Sequence, residues 1–577
     1  MSRILRVNTT DGTVRYEDVP AKYRFRAGRW LTSSIVADEV DPLSHPLGPN
    51  NKLVFAPGMV TGTAAPTSAR ISVGGKSPLT GGIKEANAGT KFSTKQARLG
   101  LSAIVVEGQP KGGSSYVLEI KEDGARLLPA GELAGKGAYE TTSALAARYG
   151  DVGICCIGPG GEMRMAMAGV CFNDMKDRAS RYAGRGGLGA VMGAKGLKAI
   201  VVDDKGTRAV PLANKDLFDQ GRRKLTEALR SHAITKPEGG LNTYGTCVLI
   251  NIMNEAGGLP TRNFSNGRFE DAAKVSGEAI FETNKQRLGK ELYNHACSPG
   301  CIIQCSNTIH AADGSEIVSC LEYETDWAFG PNCGIGDLDA LAKLTWLCND
   351  IGLDTIEAGG TIAVAMEGGV IPFGDAQGAI NLLEEVRRGT PLGRIIGAGA
   401  AVTGKAFGVV RVPAVKGQNM PAYEPRVVKG IGVTYATSTM GADHTAGYTI
   451  APEILGVGGK QDPFVVSKGA LSRGFQSTTA FIDSSGHCLF IAFAILDIAS
   501  GFEGMIEECN GVLGTAWTAQ DVTRIGDEVL AIERGFNAAA GIDRHADRLP
   551  EFMKYEPVPP HNVVWDVSDA ELDSVHG

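Results

Sequence analysis

Three thiols in one short stretch suggest the chemistry of this chain. His295-Ala-Cys297-Ser-Pro-Gly-Cys301-Ile-Ile-Gln-Cys305 is a Cys-x3-Cys-x3-Cys run. On an ideal helix Cys297 and Cys305 would stand about 12 Å apart, at about 1.5 Å rise per residue. That is too far for one compact centre. Pro299 and Gly300 break such a helix, because proline lacks the N–H and glycine favours turns. A loop can fold three thiolates around one centre. Iron–sulfur clusters are typically held by four cysteine thiolates, and Cys488 is the best candidate for the fourth. Two alternatives stay open on spacing alone: a structural zinc site with His295 or His310 as a ligand, or three core thiols with no metal. Cys155, Cys156, Cys171, Cys247, Cys320, Cys333, Cys348 and Cys509 lie in apolar or mixed stretches and read as buried packing thiols.

Cys488 belongs to a short internal echo. Asn349-Asp-Ile-Gly-Leu-Asp354 and Asp483-Ser-Ser-Gly-His-Cys488 both read (Asp/Asn)-x-x-Gly-x-(Asp/Cys). Both follow a helical pattern, with Gly352 and Gly486 where a left-handed cap would end it. Two basic, glycine-rich segments suit an anionic ligand, whose phosphates bare N–H groups could meet. One is Ser68 to Gly81, with Arg70 and Lys76. The other is Gly184-Arg-Gly-Gly-Leu-Gly189, with Arg185 and Lys195 nearby. The latter matches G-x-G-x-x-G but follows the polar stretch 174–181 rather than an apolar strand, so a nicotinamide fingerprint is not expected.

Around these segments, residues 1–208 carry short β-like runs such as 52–56, 102–107, 116–120 and 198–202, punctuated by Gly, Pro and Asn. Beyond Pro211 the periodicity turns helical, as at 216–231 and at 338–348, where Asp337 is a candidate N-cap. The expected class is α+β: a β-rich domain over 1–208 forming a base, and two mainly helical domains over 209–415 and 416–577 enclosing a cofactor. Residues 548–577 read as a polar, proline-containing tail. Glycine supplies 77 of 577 residues, well above the usual share of about 7%, which suggests many tight turns and close backbone approaches. A net charge of -7 argues against nucleic acid as a partner. The N-terminus lacks an apolar signal core. The longest apolar run, 488–496, falls short of the roughly 18 residues that span a bilayer. A cytoplasmic protein is the expectation.

In their order along the chain, these segments resemble the aldehyde:ferredoxin oxidoreductase family of tungsten enzymes. Its other carriers are Ala86-Asn87, Ala183-Gly184, Glu322-Tyr-Glu324, Gly352-Leu-Asp354, Pro421 to Arg426, His444, and Ala451-Pro-Glu-Ile-Leu-Gly456. The resemblance implies tungsten, or molybdenum, on the dithiolene sulfurs of two pyranopterins, beside a 4Fe-4S cluster on Cys297, Cys301, Cys305 and Cys488. Asn349, Gly352, Leu353 and Asp354 would cradle one pterin, and Asp483, Gly486 and His487 the other. Mg2+ would bridge the pterin phosphates through the carbonyls of Asn87 and Ala183. Arg70 would lie between cluster and pterin. Glu324 would act as general base, His444 as hydrogen-bond donor to the carbonyl oxygen, and Tyr323 as substrate orienter. Implied partners are a small aldehyde and a ferredoxin or ferredoxin-like Fe–S subunit, with a separate flavin subunit if NAD is the final acceptor, in an oligomer or hetero-complex. The sequence departs from the family pattern in its first cysteine gap, at Asn349 and at His487. It also has Lys343 and Trp346 where some relatives bind a metal between subunits. The competing expectations are a same-fold reductase of an acyl-CoA or aromatic substrate, and a non-catalytic electron-transfer subunit.

Overall fold

A computed structural model describes residues 2–577. It is mixed α/β, with a β-rich N-terminal platform under a helical remainder. The first half of the platform is Arg3–Asn8 (β1), Thr13–Asp18 (β2), Leu53–Pro57 (β3), Arg70–Lys76 (β4), Ile83–Gly89 (β5) and Leu101–Glu107 (β6). The second is Tyr116–Lys121 (β7), Gly124–Pro129 (β8), Gly153–Cys156 (β9), Val170–Asn173 (β10), Ala179–Ala183 (β11) and Leu197–Val202 (β12). One sheet runs β2-β1-β6-β3-β4-β5 and the other β11-β10-β9-β12-β7-β8. Read backwards, the second is the first with every strand number advanced by six. The pairing senses repeat too. β1/β6 and β7/β12 are parallel, whereas β3/β6 and β9/β12 are antiparallel.

Burial explains which strands are central. β3 and β12 are buried at every position and β6 at all but its last, so they read as continuous apolar runs. The outer strands β2 and β8 alternate between half-buried and exposed. Strand β11, Ala-Ser-Arg-Tyr-Ala, lies largely within the segment expected to be a non-strand polar stretch. Its pairing with β10 and its packing against β5 make it a strand despite its polar residues. The glycine-rich segment at 184 therefore does follow a strand, and it opens only a seven-residue helix, Leu188–Ala194.

In the remainder, helices Lys215–Ser231 and Leu338–Ile351 form where expected, and the Asp337 carboxylate caps the second. The latter ends at Gly352 (φ 85°) and helix Gly469–Ser485 at Gly486 (φ 93°). Both glycines are left-handed, as the echo pattern predicts. One apolar core runs through the whole helical part. It extends into the C-terminal segment, which is docked rather than loose: Phe552, Met553, Val558 and Trp565 are buried. Among the described residues, no helix is long and apolar enough to cross a membrane.

Candidate active site

Each half of the platform receives one echo motif, at equivalent strands. Gly158 follows β9 and faces the end of helix Leu338–Ile351; a Cβ there would lie 2.5 Å from the Asp350 oxygen and the Ile351 carbonyl carbon. Gly58 follows β3 and faces the end of helix Gly469–Ser485; a Cβ there would lie 2.5 Å from the Ser485 carbonyl carbon. Backbone bonds lock both joints. Met59 and Val60 N–H donate to Ser484 and Ser485 at 3.1 and 3.0 Å, and Gly169 and Asp354 N–H pair with Gly352 and Met167 at 3.0 and 2.9 Å.

Between the joints lies a cavity of about 380 Å³. Its walls include Arg70, Asn87, Gly184, Arg185, Asn349, Leu353, Asp354, Asp483, Cys297, Cys305, Cys488, Tyr323, Glu324 and His444. The fourth cysteine meets the cysteine loop through Thr67. Its carbonyl accepts from Cys488 N–H at 2.9 Å, its N–H donates to Gly300 O at 2.9 Å, and its hydroxyl accepts from Ile302 N–H at 3.1 Å. A hydrogen bond from the Cys301 thiol, helped by Arg181 and Arg70, draws the Cys297 thiol down to about 5 despite burial. That favours a thiolate, the form that binds metal. His295 Nε2 lies 2.6 Å from the Arg178 guanidinium and His310 Nδ1 3.2 Å from Asn284 Oδ1, so both rings have partners outside the thiol group. Among the described residues, no three His, Cys, Asp or Glu side chains surround a single-ion site.

The platform supplies the positive charge. Arg70 donates to Asn87 Oδ1, and a Cβ on Gly89 would touch both Cys297 Sγ (2.9 Å) and Arg70 Nη1 (3.1 Å). Arg70 therefore adjoins the thiols. Arg185 lies 3.3 Å from Asp354, and Lys84 3.4 Å from Asp443. Arg29 grips Glu533 at 2.8 Å and reaches Asp483 at 3.3 Å. Burial raises both Asp483 and Glu85 above the ordinary carboxylate range, and the Asp483 charge adds to the rise at Glu85. Lys84 and Arg185 hold Asp443 low in spite of its burial.

Glu324 stands on the opposite wall, in the first turn of helix Tyr323–Phe329. Burial pushes its carboxyl up to about 8, against the pull of the Ala422 N–H and Arg185. Oε2 accepts from Ala422 N–H at 2.9 Å. Oε1 is buried without a hydrogen bond; it lies 3.2 Å from His444 Nε2 but misaligned. Burial lowers His444 to about 4, and its Nδ1 has no partner. Near neutral pH the pair is a carboxylic acid beside a neutral imidazole, with free polar atoms where a ligand would complete them. Anionic cradles facing cations and paired thiols opposite orphaned polar atoms suit a large, phosphorylated metal cofactor.

Residues 4–204 match the family profile for the N-terminal domain of aldehyde ferredoxin oxidoreductase, and 220–574 match that for domains 2 and 3. The chain belongs to the aldehyde ferredoxin oxidoreductase family. It is 37% identical to the tungsten-containing aldehyde ferredoxin oxidoreductase of Pyrococcus abyssi over 584 residues, covering 96% of this chain and 92% of that protein. A Thermococcus kodakarensis protein with the same description is 37% identical over 580 residues, with the same coverages. The fold is shared with the active site complex BamBC of benzoyl coenzyme A reductase, solved with 1,5-dienoyl-CoA. There the TM-score is 0.79 at 18% identity, covering 100% of this chain and 93% of that one.

Several residues fall elsewhere than the family pattern implied. Lys76 donates to the carbonyls of Pro42 and Ser44, and Lys195 to those of Gly48 and Pro49, so neither reaches the cavity. Their ammonium groups instead tie down the single segment 42–49 that leads into β3. The His487 ring bonds Glu508 at 2.8 Å and Ser485 at 2.9 Å, buried in the helical part and off the cavity wall. Gly352 and Gly486 lie at the joints and Ala183 pairs with Val170 on β11; none of the three is a wall residue. Cys320 is more than a packing thiol: it lines the cavity and accepts from Arg181. Arg29, Lys84, Glu85, Arg181 and Asp443 also line it. Asp443 and Glu85 adjoin the quoted His444 and Ala86 in sequence, which was a usable signal. Arg181 and Cys320 are 139 positions apart, and only the register of β11 joins them.

Proposed function

We propose that this chain oxidises aldehydes to carboxylic acids, R–CHO + H2O giving R–COOH, two protons and two electrons. The observation that carries this reading is the single cavity in which Glu324 and His444 face two equivalent motif cradles beside the cysteine group. Asp354 and Asn349 would hold one pterin and Asp483 the other, with Arg70 and Arg185 toward their anionic parts. Asn87 and Ala183 lie on β5 and β11, the strands that meet between the two halves, where their carbonyls would take Mg2+. Cys297, Cys301, Cys305 and Cys488 would hold the 4Fe-4S cluster. The tungsten (or molybdenum) pterin group would supply two-electron chemistry and the cluster one-electron exit to a ferredoxin-type carrier or partner subunit, in a cytoplasmic complex.

The chain's own residues manage protons and position. Once deprotonated, Glu324 takes a proton from water through its unpaired Oε1. Neutral His444 donates a hydrogen bond to a carbonyl oxygen as negative charge grows there. Tyr323 is better read as a positioning residue than as a substrate contact. Its hydroxyl donates to Ala422 O at 2.8 Å, fixing the residue whose N–H holds Glu324.

The test is element analysis of anaerobically purified protein, with dye-linked oxidation of an aldehyde panel. Tungsten or molybdenum with about four irons per chain, and reduction of a viologen dye by aldehyde, are expected. Protein carrying neither metal, or metal-loaded protein inert toward every aldehyde, would refute the reading.

A further inference from the structure

We infer that the substrate side of the cavity selects neutral, flat, apolar aldehydes, with aryl aldehydes preferred over small or anionic ones; this rests on the aldehyde reading above. The walls beside Glu324 and His444 form a continuous aromatic arc. The His444 ring lies 5.9 Å from Tyr423 and 6.2 Å from Tyr448 between centroids. Tyr448 meets Phe493 edge-on at 6.2 Å and 85°, and Phe493 meets Phe490 at 5.8 Å. All five rings line the cavity. The Tyr423 and Tyr448 hydroxyls bond each other at 2.8 Å, which uses one of their two O–H donors and leaves the rings as the larger surface. Edge-to-face contact with such rings favours another aromatic ring over an alkyl group of equal area.

Charge points the same way. The basic residues that line the cavity are Arg29, Arg70, Lys84, Arg181 and Arg185, all from the platform. Arg29, Lys84 and Arg185 have the carboxylates of Glu533, Asp443 and Asp354, and Arg181 has Glu322 at 3.6 Å beside Cys320, whereas Arg70 has only the neutral Asn87 amide. The described helical residues add no Lys or Arg to the walls, but they do add Glu322, Glu324, Asp354, Asp443 and Asp483. A carboxylate on the substrate would be desolvated beside Glu324 among acids, the costly case for a buried charge. The one wall cation without a carboxylate partner, Arg70, lies against Cys297.

The test compares kcat/KM of the holoenzyme for benzaldehyde, acetaldehyde and glyoxylate with a viologen acceptor. Benzaldehyde should exceed acetaldehyde by about tenfold or more, the discrimination an apolar pocket provides, and glyoxylate should be the poorest. Phe493→Ala should lower the benzaldehyde-to-acetaldehyde ratio by about tenfold. Phe493→Leu keeps apolar bulk without the ring and should lower it less, which holds the comparison if the alanine variant does not fold. A preference for acetaldehyde or glyoxylate, or a ratio unmoved in both variants, overturns the inference while leaving aldehyde oxidation standing. Inertness toward all three in metal-loaded protein overturns both.

Discussion

Replacing Gly158 by alanine should empty one pterin cradle while iron stays, whereas Gly58→Ala should lose both. The new Cβ at 158 would sit 2.5 Å from the Asp350 oxygen and the Ile351 carbonyl carbon, where ordinary contact is 3.4–4 Å. These are backbone atoms, so no rotamer change relieves the overlap. The helix end must retreat by about 1 Å, carrying Gly352, Leu353 and Asp354 with it. Overpacking of this kind costs about 1–3 kcal/mol, tolerable against a total stability of about 5–15 kcal/mol. Taken from cofactor binding, the same free energy weakens retention by roughly 5- to 150-fold. The 349–354 segment contains no cysteine, so iron should remain near wild type. At Gly58 the equivalent overlap is with Ser485, and the retreat displaces Asp483 and Cys488 together. Colorimetric iron, cluster EPR and fluorescence of the oxidised pterin would be measured on both variants. Equal iron loss in the two, or full pterin content in Gly158→Ala, would refute the two-joint account.

Glu324→Gln should keep metal and iron yet lower kcat/KM by about 100-fold or more, as loss of a general base implies. Because Glu324 is raised to about 8, wild-type rates should climb between pH 7 and 9, and the variant's profile should lose that rise. Cys488→Ser should abolish the cluster EPR signal, and an unchanged signal would remove Cys488 from the ligand set. In cofactor-free protein the melting temperature of Glu324→Gln should gain on that of wild type as pH rises from 6.5 to 9. Glu324 is raised to about 8, so folded wild type keeps a proton that the unfolded chain releases above about 4.3, and that stabilisation is lost as pH passes through about 8. The comparison with wild type matters because Cys297, drawn down to about 5, and Lys195, lowered to about 7 by burial, favour the folded state increasingly over the same window. Differential scanning calorimetry would show a constant or shrinking gap if the sign were wrong.

Much of this was legible where local rules and tertiary structure agree. The Asp337 cap, the helix behind it and the two left-handed glycines follow from pattern because capping is a short-range matter. The cysteine loop was readable because Pro299 and Gly300 forbid the alternative. Strand β11 was not, since its polar residues are sheltered by neighbours distant in sequence. Lys76 and Lys195 misled for a related reason. A lysine near glycines resembles a phosphate ligand until carbonyls from another loop are found around its ammonium group. The pairing of Arg181 with Cys320 had no sequence signal.

The repeated strand order bears on how the holoprotein is assembled. One lip of each cradle lies within the first 160 residues and the other emerges after residue 340, with separations of about 190 and about 430 positions. A nascent chain therefore exposes both receiving strand ends well before either closing helix is made. The later closing segment also carries Cys488. A chain halted before it would have one finished socket, one open socket and, on the proposed ligand set, one thiol too few, so neither proposed site can be complete until the same late segment is made.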